Sequence, residues 1–429
     1  LHGAGRAAAR PRAPQCGPRT VTAALHARRA LMLLPSAGLG GAEAMTAVLA
    51  RALRAAGLAL DIAIAPSLAT RFADMLGPDL AGAVDPAPLA WEEGETAAQN
   101  LRRQQAVAAA RMLTARPDLA IIPLPWPSHG LGFLGPLRDA GVPTLLIAHL
   151  APREADPGLA EAARLASPPA WPGCVWAAVG APTAARVEAA FGLRGGSVAV
   201  VPNGVPIPRV TPQDRLEARA AKRGALALDA GAPRLAVAGR LEPKKGTDLL
   251  PGLAGALRRR CGATIAVLGE GPGRALLETP EVPDRRPDPA PPLRLIGQVR
   301  DIGDWLLAAD ALLLPSRLEG CPLVFLEAAA RHCPVVATAA ALEAFGDAAW
   351  EIAALAPDGM PSALVDGVAA LLAAPARRAV LVEAAFRCAA AWDEAAMLRG
   401  LLGVLRGAVA AAGVRGAEVQ AITARGDGG

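Results

Sequence analysis

Apolar residues in this chain gather in short blocks. Each block is followed by a loop rich in glycine or proline, and then by a stretch with apolar residues at helical spacing. Ala30–Leu34, Asp61–Ile64, Pro117–Ile122, Val142–His149, Val175–Val179 and Val198–Val201 read as strands. Continuous apolar runs of this kind are what a parallel sheet covered on both faces produces. Glu43–Ala56 predicts a helix ending near Gly57, and the second half of Ala87–Arg116 predicts another, with Gln104, Gln105 and the arginines on one side. The alternation pauses at Pro206-Ile207-Pro208 and Thr211-Pro212, a stiff linker. It then restarts with strands at Leu235–Gly239, Thr264–Leu268, Leu293–Val299, Ala311–Leu314 and Pro334–Thr338. Asp301–Ala309 reads as a helix with Trp305 toward the core, and from Pro361 onward the chain is almost wholly helix-forming. Strands alternating with helices in two series predict an α/β fold of two doubly wound, Rossmann-like domains. The boundaries expected are an arm at 1–28, a first domain at 29–205, a second at 206–392, and a final helix with a frayed tail at 393–429. Residues 279–292, dense in proline, read as a mobile loop.

Composition narrows the partners. Hydrophobic residues make up 53% of the chain, but alanine carries much of that share. A mean hydropathy of +0.32 therefore does not signal a membrane protein, and no run of about 18 apolar residues escapes a charge or proline. The net charge of +5 is mild and there is no lysine-rich run, so nucleic-acid binding by bulk charge is unsupported. A basic face toward phosphates or lipid headgroups stays open. Cys16, Cys174, Cys261, Cys321, Cys333 and Cys388 show no metal-ligand spacing and read as reduced intracellular thiols, and the histidines are scattered. No cofactor and no metal are expected, and the location expected is cytoplasmic, with peripheral contact at the inner face of a membrane left open. The arm, with Arg6, Arg10, Arg12, Arg19 and Arg28 and no acidic residue, is expected to be disordered. A membrane-surface segment is the alternative.

Candidate chemistry sits in the loops after the strands. Ala311–Leu314 leads into Pro315-Ser316-Arg317-Leu318-Glu319-Gly320-Cys321-Pro322-Leu323, then into a helix carrying Glu327. Pro322 suits the first helical turn. The free amides and positive dipole end of such a helix favour an anion. Glu327 lies roughly 7–8 Å past the helix start, so it and Glu319 are expected to hold different parts of one elongated ligand. Carboxylates accept from hydroxyls, which suits a sugar. Arg240 and Lys245 follow the strand Leu235–Gly239. Two cations there are costly without an anion, and a diphosphate is the simplest answer. Gly38-Leu39-Gly40-Gly41-Ala42-Glu43 follows the first strand but lacks the third glycine of the dinucleotide fingerprint, which disfavours NAD. His149 ends a strand, where doubly wound sheets place ligands. Trp126 and His129 stand beyond another strand as acceptor candidates.

These stretches resemble a known family. E-G-x-P-L-V-x-x-E at Glu319–Glu327, G-R-x-x-x-x-K-G at 239–246, G-G-A-E at 40–43, G-x-G-P at 269–272 and P-N-G-V at 202–205 are similar to motifs of the retaining glycosyltransferases of the GT-B fold, family 4. The likeness covers most of residues 30–395. It implies two Rossmann-like domains facing across a cleft, with a final helix, 393–411, crossing back to the first domain. It implies that Glu319 contacts the donor sugar, Glu327 the nucleotide ribose, Arg240 and Lys245 the donor diphosphate, and His149 a donor hydroxyl. Gly40, Gly41, Asn203, Gly320, Cys321, Pro322 and Leu323 fall in the matching donor motifs, and Val299 in the nucleobase region. The chain departs from the family at Gly180, where serine is usual, which puts one polar contact in doubt.

The function expected is transfer of a sugar from a nucleotide-diphosphate sugar, with retention, to a glycan, lipid-linked or small-molecule acceptor that the sequence does not identify. Without a D-x-D motif, protein groups must meet the charge of the leaving diphosphate. Two rival readings remain: a sugar-nucleotide epimerase of the same fold, and a non-catalytic nucleotide-sugar-binding scaffold.

Overall fold

The computed structural model describes residues 27–167, 171–225, 233–278 and 292–413. The arm through residue 26, the proline-rich loop at 279–291 and the tail beyond 413 lie outside the described residues. Arg28, assigned above to the arm, belongs to the folded body: its backbone N–H donates to Asp118 Oδ2 at 2.7 Å, and Ala27 is buried.

Seven strands build the first sheet: β1 (Arg29–Leu34), β2 (Ala59–Ile64), β3 (Val84–Pro86), β4 (Leu119–Leu124), β5 (Thr144–Ala148), β6 (Cys174–Ala178) and β7 (Ala199–Val200). Their order is β3-β2-β1-β4-β5-β6-β7, and every pairing is parallel. Six more build the second sheet: β8 (Arg234–Ala238), β9 (Thr264–Leu268), β10 (Leu293–Gly297), β11 (Ala311–Leu314), β12 (Val335–Thr338) and β13 (Ala354–Ala356). That sheet is also all parallel, in the order β10-β9-β8-β11-β12-β13. β4 and β11 are buried at every position, as central strands roofed by helices on both faces must be. β7 is shorter than the apolar block around it, because it is an edge strand with Val200 in solvent.

Strand order reverses once in each sheet, between β1 and β4 and between β8 and β11. Ligands of doubly wound sheets bind beyond the carboxyl ends of the strands at such reversals. The loops after β1, β4, β8 and β11 carry Gly38–Gly41, Trp126 and His129, Arg240 and Lys245, and Glu319 and Gly320.

The last helix, Glu394–Ala411, starts from the Asp393 side-chain cap and buries Met397, Leu401, Leu405 and Val409 in the same core as β1 and the helix Gly41–Ala55. The chain thus returns to the first domain. The two passages between domains touch: Val205 bridges Asp393, and Glu394 N–H donates to Val205 O at 3.2 Å. A Cβ on Gly204 would stand 2.2 Å from Asp393 O, so only glycine permits this crossing. One patterning expectation fails. Gln104 does not share an exposed side with Gln105. It is fully buried, donating to Leu89 O and His129 O, because the Ala97–Ala115 helix turns that position inward.

Candidate active site

The two domains meet along these loops. A Cβ on Gly320 of the second domain would lie 1.9 Å from His149 O of the first, and Asn203 Nδ2 donates to Cys321 O at 2.8 Å. A Cβ on Gly41 would stand 3.2 Å from Leu323 Cδ1, and one on Gly38 would stand 3.3 Å from Arg240 Cζ. Arg240, Lys245, the Gly320 segment and the Gly38–Gly41 loop therefore border one crevice.

Within the second domain, two loops are laced together. Arg317 N–H donates to Lys244 O at 2.8 Å, and the Arg317 guanidinium grips Asp248 at 2.6 and 2.7 Å and Pro243 O at 2.6 Å. Gly246, at φ +72°, lets the cationic loop pass so close to Pro315 that an added Cβ would sit 2.2 Å from Pro315 O. Lys245 Nζ lies 2.6 Å from Glu319 Oε2, while Ser316 Oγ donates to Glu319 Oε1 at 2.9 Å. Glu319 is buried, so both of these contacts orient it.

Arg240 and Lys245 are not left needing an external anion, contrary to the expectation from the sequence. Arg240 NH2 stands 2.7 Å from Glu242 Oε1, Lys244 Nζ stands 2.8 Å from Glu242 Oε2, and Lys245 is on Glu319. The loop supplies its own carboxylates. A diphosphate would exchange partners with them rather than meet bare cations.

His149 is buried at the end of β5, and its backbone N–H donates to Leu124 O at 2.9 Å. Burial lowers its pKa to about 4, so the ring is neutral at physiological pH. Its Nε2 faces protein with no hydrogen-bond partner, beside a cavity of about 10 Å³ lined by Thr46, Asn203 and the return-helix residues Met397 and Leu401. Glu327 sits in the short helix Leu323–Ala330, its carboxyl held above the usual range by burial and opposed by Arg331. Pro322 is the residue before that helix rather than in its first turn, because its extended ψ of 111° ends the loop. Val299 packs against the second domain's core.

The first-domain candidates have partners within the protein. Gly40 N–H is taken by Glu43 Oε2 at 2.6 Å, so that amide does not face a phosphate. Trp126 is anchored by its indole N–H to Asp156 Oδ2 at 3.0 Å. His129 stacks on Trp91 at 5.1 Å between ring centroids, and its pKa falls to about 4 through burial and the nearby Lys244. Trp91, on the loop before the Ala97–Ala115 helix and bonded through its N–H to Pro35 O, was not singled out by the sequence. Neither were Ser36 and Glu242, which lie in loops without a periodic signal, while Glu43 and Ser316 fell within the quoted motifs without their bonds being foreseen. Gly180 packs a would-be Cβ 3.1 Å from both Ala344 Cβ and Gly320 O. A side chain there would press on the second domain.

Two parallel-sheet Rossmann-like domains enclosing a cleft, tied by a helix that returns to the first, define the GT-B fold. The fold matches that of Anabaena HepE in complex with UDP-glucose, with a TM-score of 0.68, 19% identity, and 89% of this chain and 99% of that one covered. It also matches sucrose-phosphate synthase from Thermosynechococcus elongatus, with a TM-score of 0.67, 19% identity, and 90% and 100% covered. Residues 232–374 match the family model described as glycosyl transferases group 1. Among curated relatives, the D-inositol 3-phosphate glycosyltransferase of Salinispora arenicola is 34% identical over 242 residues, 52% of each protein. That of Frankia alni is 34% identical over 198 residues, 42% of each. The chain thus spans about half the length of the curated relatives it matches. Among the described residues, no helix is long and apolar enough to cross a membrane.

Proposed function

We propose that this protein transfers a sugar from a nucleoside-diphosphate sugar to a hydroxylated acceptor, with retention of configuration. The observation that carries this reading is the shared crevice: Lys245 on Glu319, Arg240 over the glycine loop of the other domain, and His149 against Gly320. Arg240 and Lys245 bind the donor diphosphate, each charge-assisted hydrogen bond contributing roughly 1.5–3 kcal/mol. Glu319, freed from Lys245 on one oxygen, accepts from sugar hydroxyls while Ser316 holds the other. Glu327 takes the ribose hydroxyls. His149, neutral because it is buried, holds a donor hydroxyl without adding charge.

In the reaction, the acceptor hydroxyl oxygen bonds to the anomeric carbon, the bond from that carbon to the diphosphate oxygen breaks, and the leaving phosphate takes the hydroxyl proton. Attack and departure on one face of the sugar give retention without a covalent glycosyl-enzyme. The charge that develops on the leaving oxygen is met by Arg240 and Lys245, so no divalent ion is assigned to the step. Preorganised cations of this kind act where charge develops in the transition state.

We assign the acceptor subsite to the first domain, along Trp126, His129 and Trp91. The relatives named for D-inositol 3-phosphate make an inositol phosphate the first acceptor to try. The test incubates UDP-, ADP- and GDP-linked sugars with and without a panel of acceptors that includes inositol phosphates, and follows nucleoside diphosphate release and product anomeric configuration. Acceptor-dependent release with retained configuration is expected. An epimerised donor formed without acceptor would replace this reading with the epimerase, and the absence of turnover across the panel would leave a binding scaffold.

A further inference from the structure

Glu43 is a carboxylate that the proposed chemistry does not use, and it is only 2% exposed. It lies in the first turn of the helix Gly41–Ala55 and turns back on the preceding loop. One oxygen accepts from Gly40 N–H at 2.6 Å, and the other accepts from Ser36 Oγ. These two contacts close the loop at both ends. A loop of small residues has many conformations to lose, so a buried group that bonds both ends selects one of them.

Arg240 of the second domain packs against the same loop. A Cβ on Gly38 would stand 3.3 Å from Arg240 Cζ. One on Gly40 would stand 3.9 Å from Arg240 Cδ and 3.6 Å from Glu43 Oε2. The glycines lack the side chains that would fill this space, so the carboxylate and the guanidinium both rest against loop backbone. The shape of the loop fixes where the guanidinium rests.

We propose that Glu43 is a positioning residue for the donor diphosphate: it braces the loop at 36–40 as the surface against which Arg240 is held, and it acts through its hydrogen bonds rather than its charge. The proposal rests on the reading of Arg240 as a diphosphate ligand. Two features favour hydrogen bonding over charge. Burial raises the Glu43 carboxyl above the usual range, outweighing the opposing pull of its hydrogen bonds and of the nearby Arg240 charge. A fixed negative charge so close to the crevice would also oppose an incoming diphosphate. An amide satisfies the same geometry, its oxygen accepting from Gly40 N–H and its NH2 donating to Ser36 Oγ.

The experiment compares Glu43→Gln, Glu43→Ala, Ser36→Ala and Arg240→Ala. Initial rates of nucleoside diphosphate release are measured over a range of UDP-glucose, ADP-glucose or GDP-mannose, whichever the wild-type protein turns over. Binding of the same donor is measured by calorimetry. Glu43→Ala is expected to raise the donor KM about tenfold, with a much smaller change in kcat. Glu43→Gln is expected to stay within about twofold of wild type. In donor binding, Glu43→Ala is expected to have no further effect once Arg240 is alanine, because it acts through that residue. Should Glu43→Ala fail to fold, Ser36→Ala, which removes one brace and leaves the carboxylate, is expected to show a smaller rise in KM. Equal damage from Gln and Ala would overturn the brace, as would independent effects of Glu43→Ala and Arg240→Ala. If the wild type turns over a donor and Glu43→Ala matches it, the brace alone falls. If the wild type turns over none of the donors, the donor reading falls and takes the brace with it.

Discussion

Two arginines of the first domain reach two carboxylates of the second at the side of the crevice. Arg186 binds Glu343 through both nitrogens at 2.6 and 2.7 Å, with side chains 23% and 15% exposed. Arg153, four residues past His149, stands 3.8 Å from Glu343 and 2.8 Å from Asp358. Asp358 in turn accepts from Ala340 N–H at 2.8 Å, which steadies the segment carrying Glu343. The perturbation is a charge swap: Arg186→Glu, Glu343→Arg, and both together. At an effective dielectric near 20, opposite charges about 4 Å apart attract by about 4 kcal/mol. Desolvation and lost side-chain freedom offset most of that, and exposed pairs net about 0.2–1 kcal/mol. A forked, half-buried pair should exceed that range, and we expect a coupling of about 1.5 kcal/mol. Each single reversal places like charges together and should lower the urea midpoint, followed by tryptophan fluorescence. The double swap should recover most of the loss. Raising the salt should shrink the coupling only in part, since buried pairs are screened less. Because this latch seats Ala344 against Gly180 and Gly320 against His149, the single reversals should also raise the donor KM. If the single effects add within about 0.3–0.5 kcal/mol, the pair carries nothing between the domains and the reasoning fails.

Lys245→Ala should cut turnover by about 10²–10³ or more while leaving the circular dichroism spectrum and melting cooperativity intact, and wild-type rates in that variant would remove Lys245 from the mechanism. Gly204→Ala, which drives a methyl to 2.2 Å from Asp393 O, should lower stability by about 1–3 kcal/mol in urea titrations; an unchanged midpoint would show that the crossing is not tight. His149 has its folded pKa lowered to about 4 by burial, against an ordinary value near 6.5. The unfolded chain therefore binds more protons in that window, and His149 costs stability progressively as pH falls from about 6.5 to about 4, by roughly 3 kcal/mol in all. Stability measured against pH should fall less steeply there in His149→Gln, and parallel curves would contradict the assignment.

The strands were legible because their physics is local. Ala311–Leu314 and Thr264–Leu268 are apolar blocks bounded by glycine and proline, and the structure places strands at those residues. The return helix was expected at 393–411 from the family resemblance and the helix-forming composition after Pro361, and the structure places it at Glu394–Ala411. What escaped was whatever depends on how the irregular segments fold, whether the partner is near or far along the chain. Glu242 reads as one more loop charge until the fold sets it between Arg240 and Lys244. Trp91 lies in an irregular segment, and only the close approach of the β4 loop stacks His129 on it. Gln104 was grouped on one side with Gln105, since composition cannot show that one helix position faces backbone carbonyls in need of a donor. Glu43 was visible in its motif, yet its bonds to Ser36 and Gly40 depend on how the loop folds over it.

The pairing of the loop cations with Glu242 and Glu319 bears on how such a site would work. A donor that displaces those carboxylates exchanges one charge contact for another, so its ground-state gain is a difference between two similar terms. The carboxylates carry a fixed charge, whereas the leaving diphosphate gains charge as its bond to the sugar breaks. On the proposed reading, Arg240 and Lys245 would therefore favour the diphosphate over their resident partners most strongly at the transition state, which is the condition for raising kcat rather than merely lowering KM. Lys244 would remain with Glu242 while Arg240 turned to the ligand, so the displaced carboxylate would not be left unpaired. Glu319, released by Lys245 on one oxygen and held by Ser316 on the other, would be freed to accept from the sugar by the same exchange that commits Lys245 to the phosphate. Cation and carboxylate would change partners together, and a ligand offering only a diphosphate or only a sugar would complete half of that exchange.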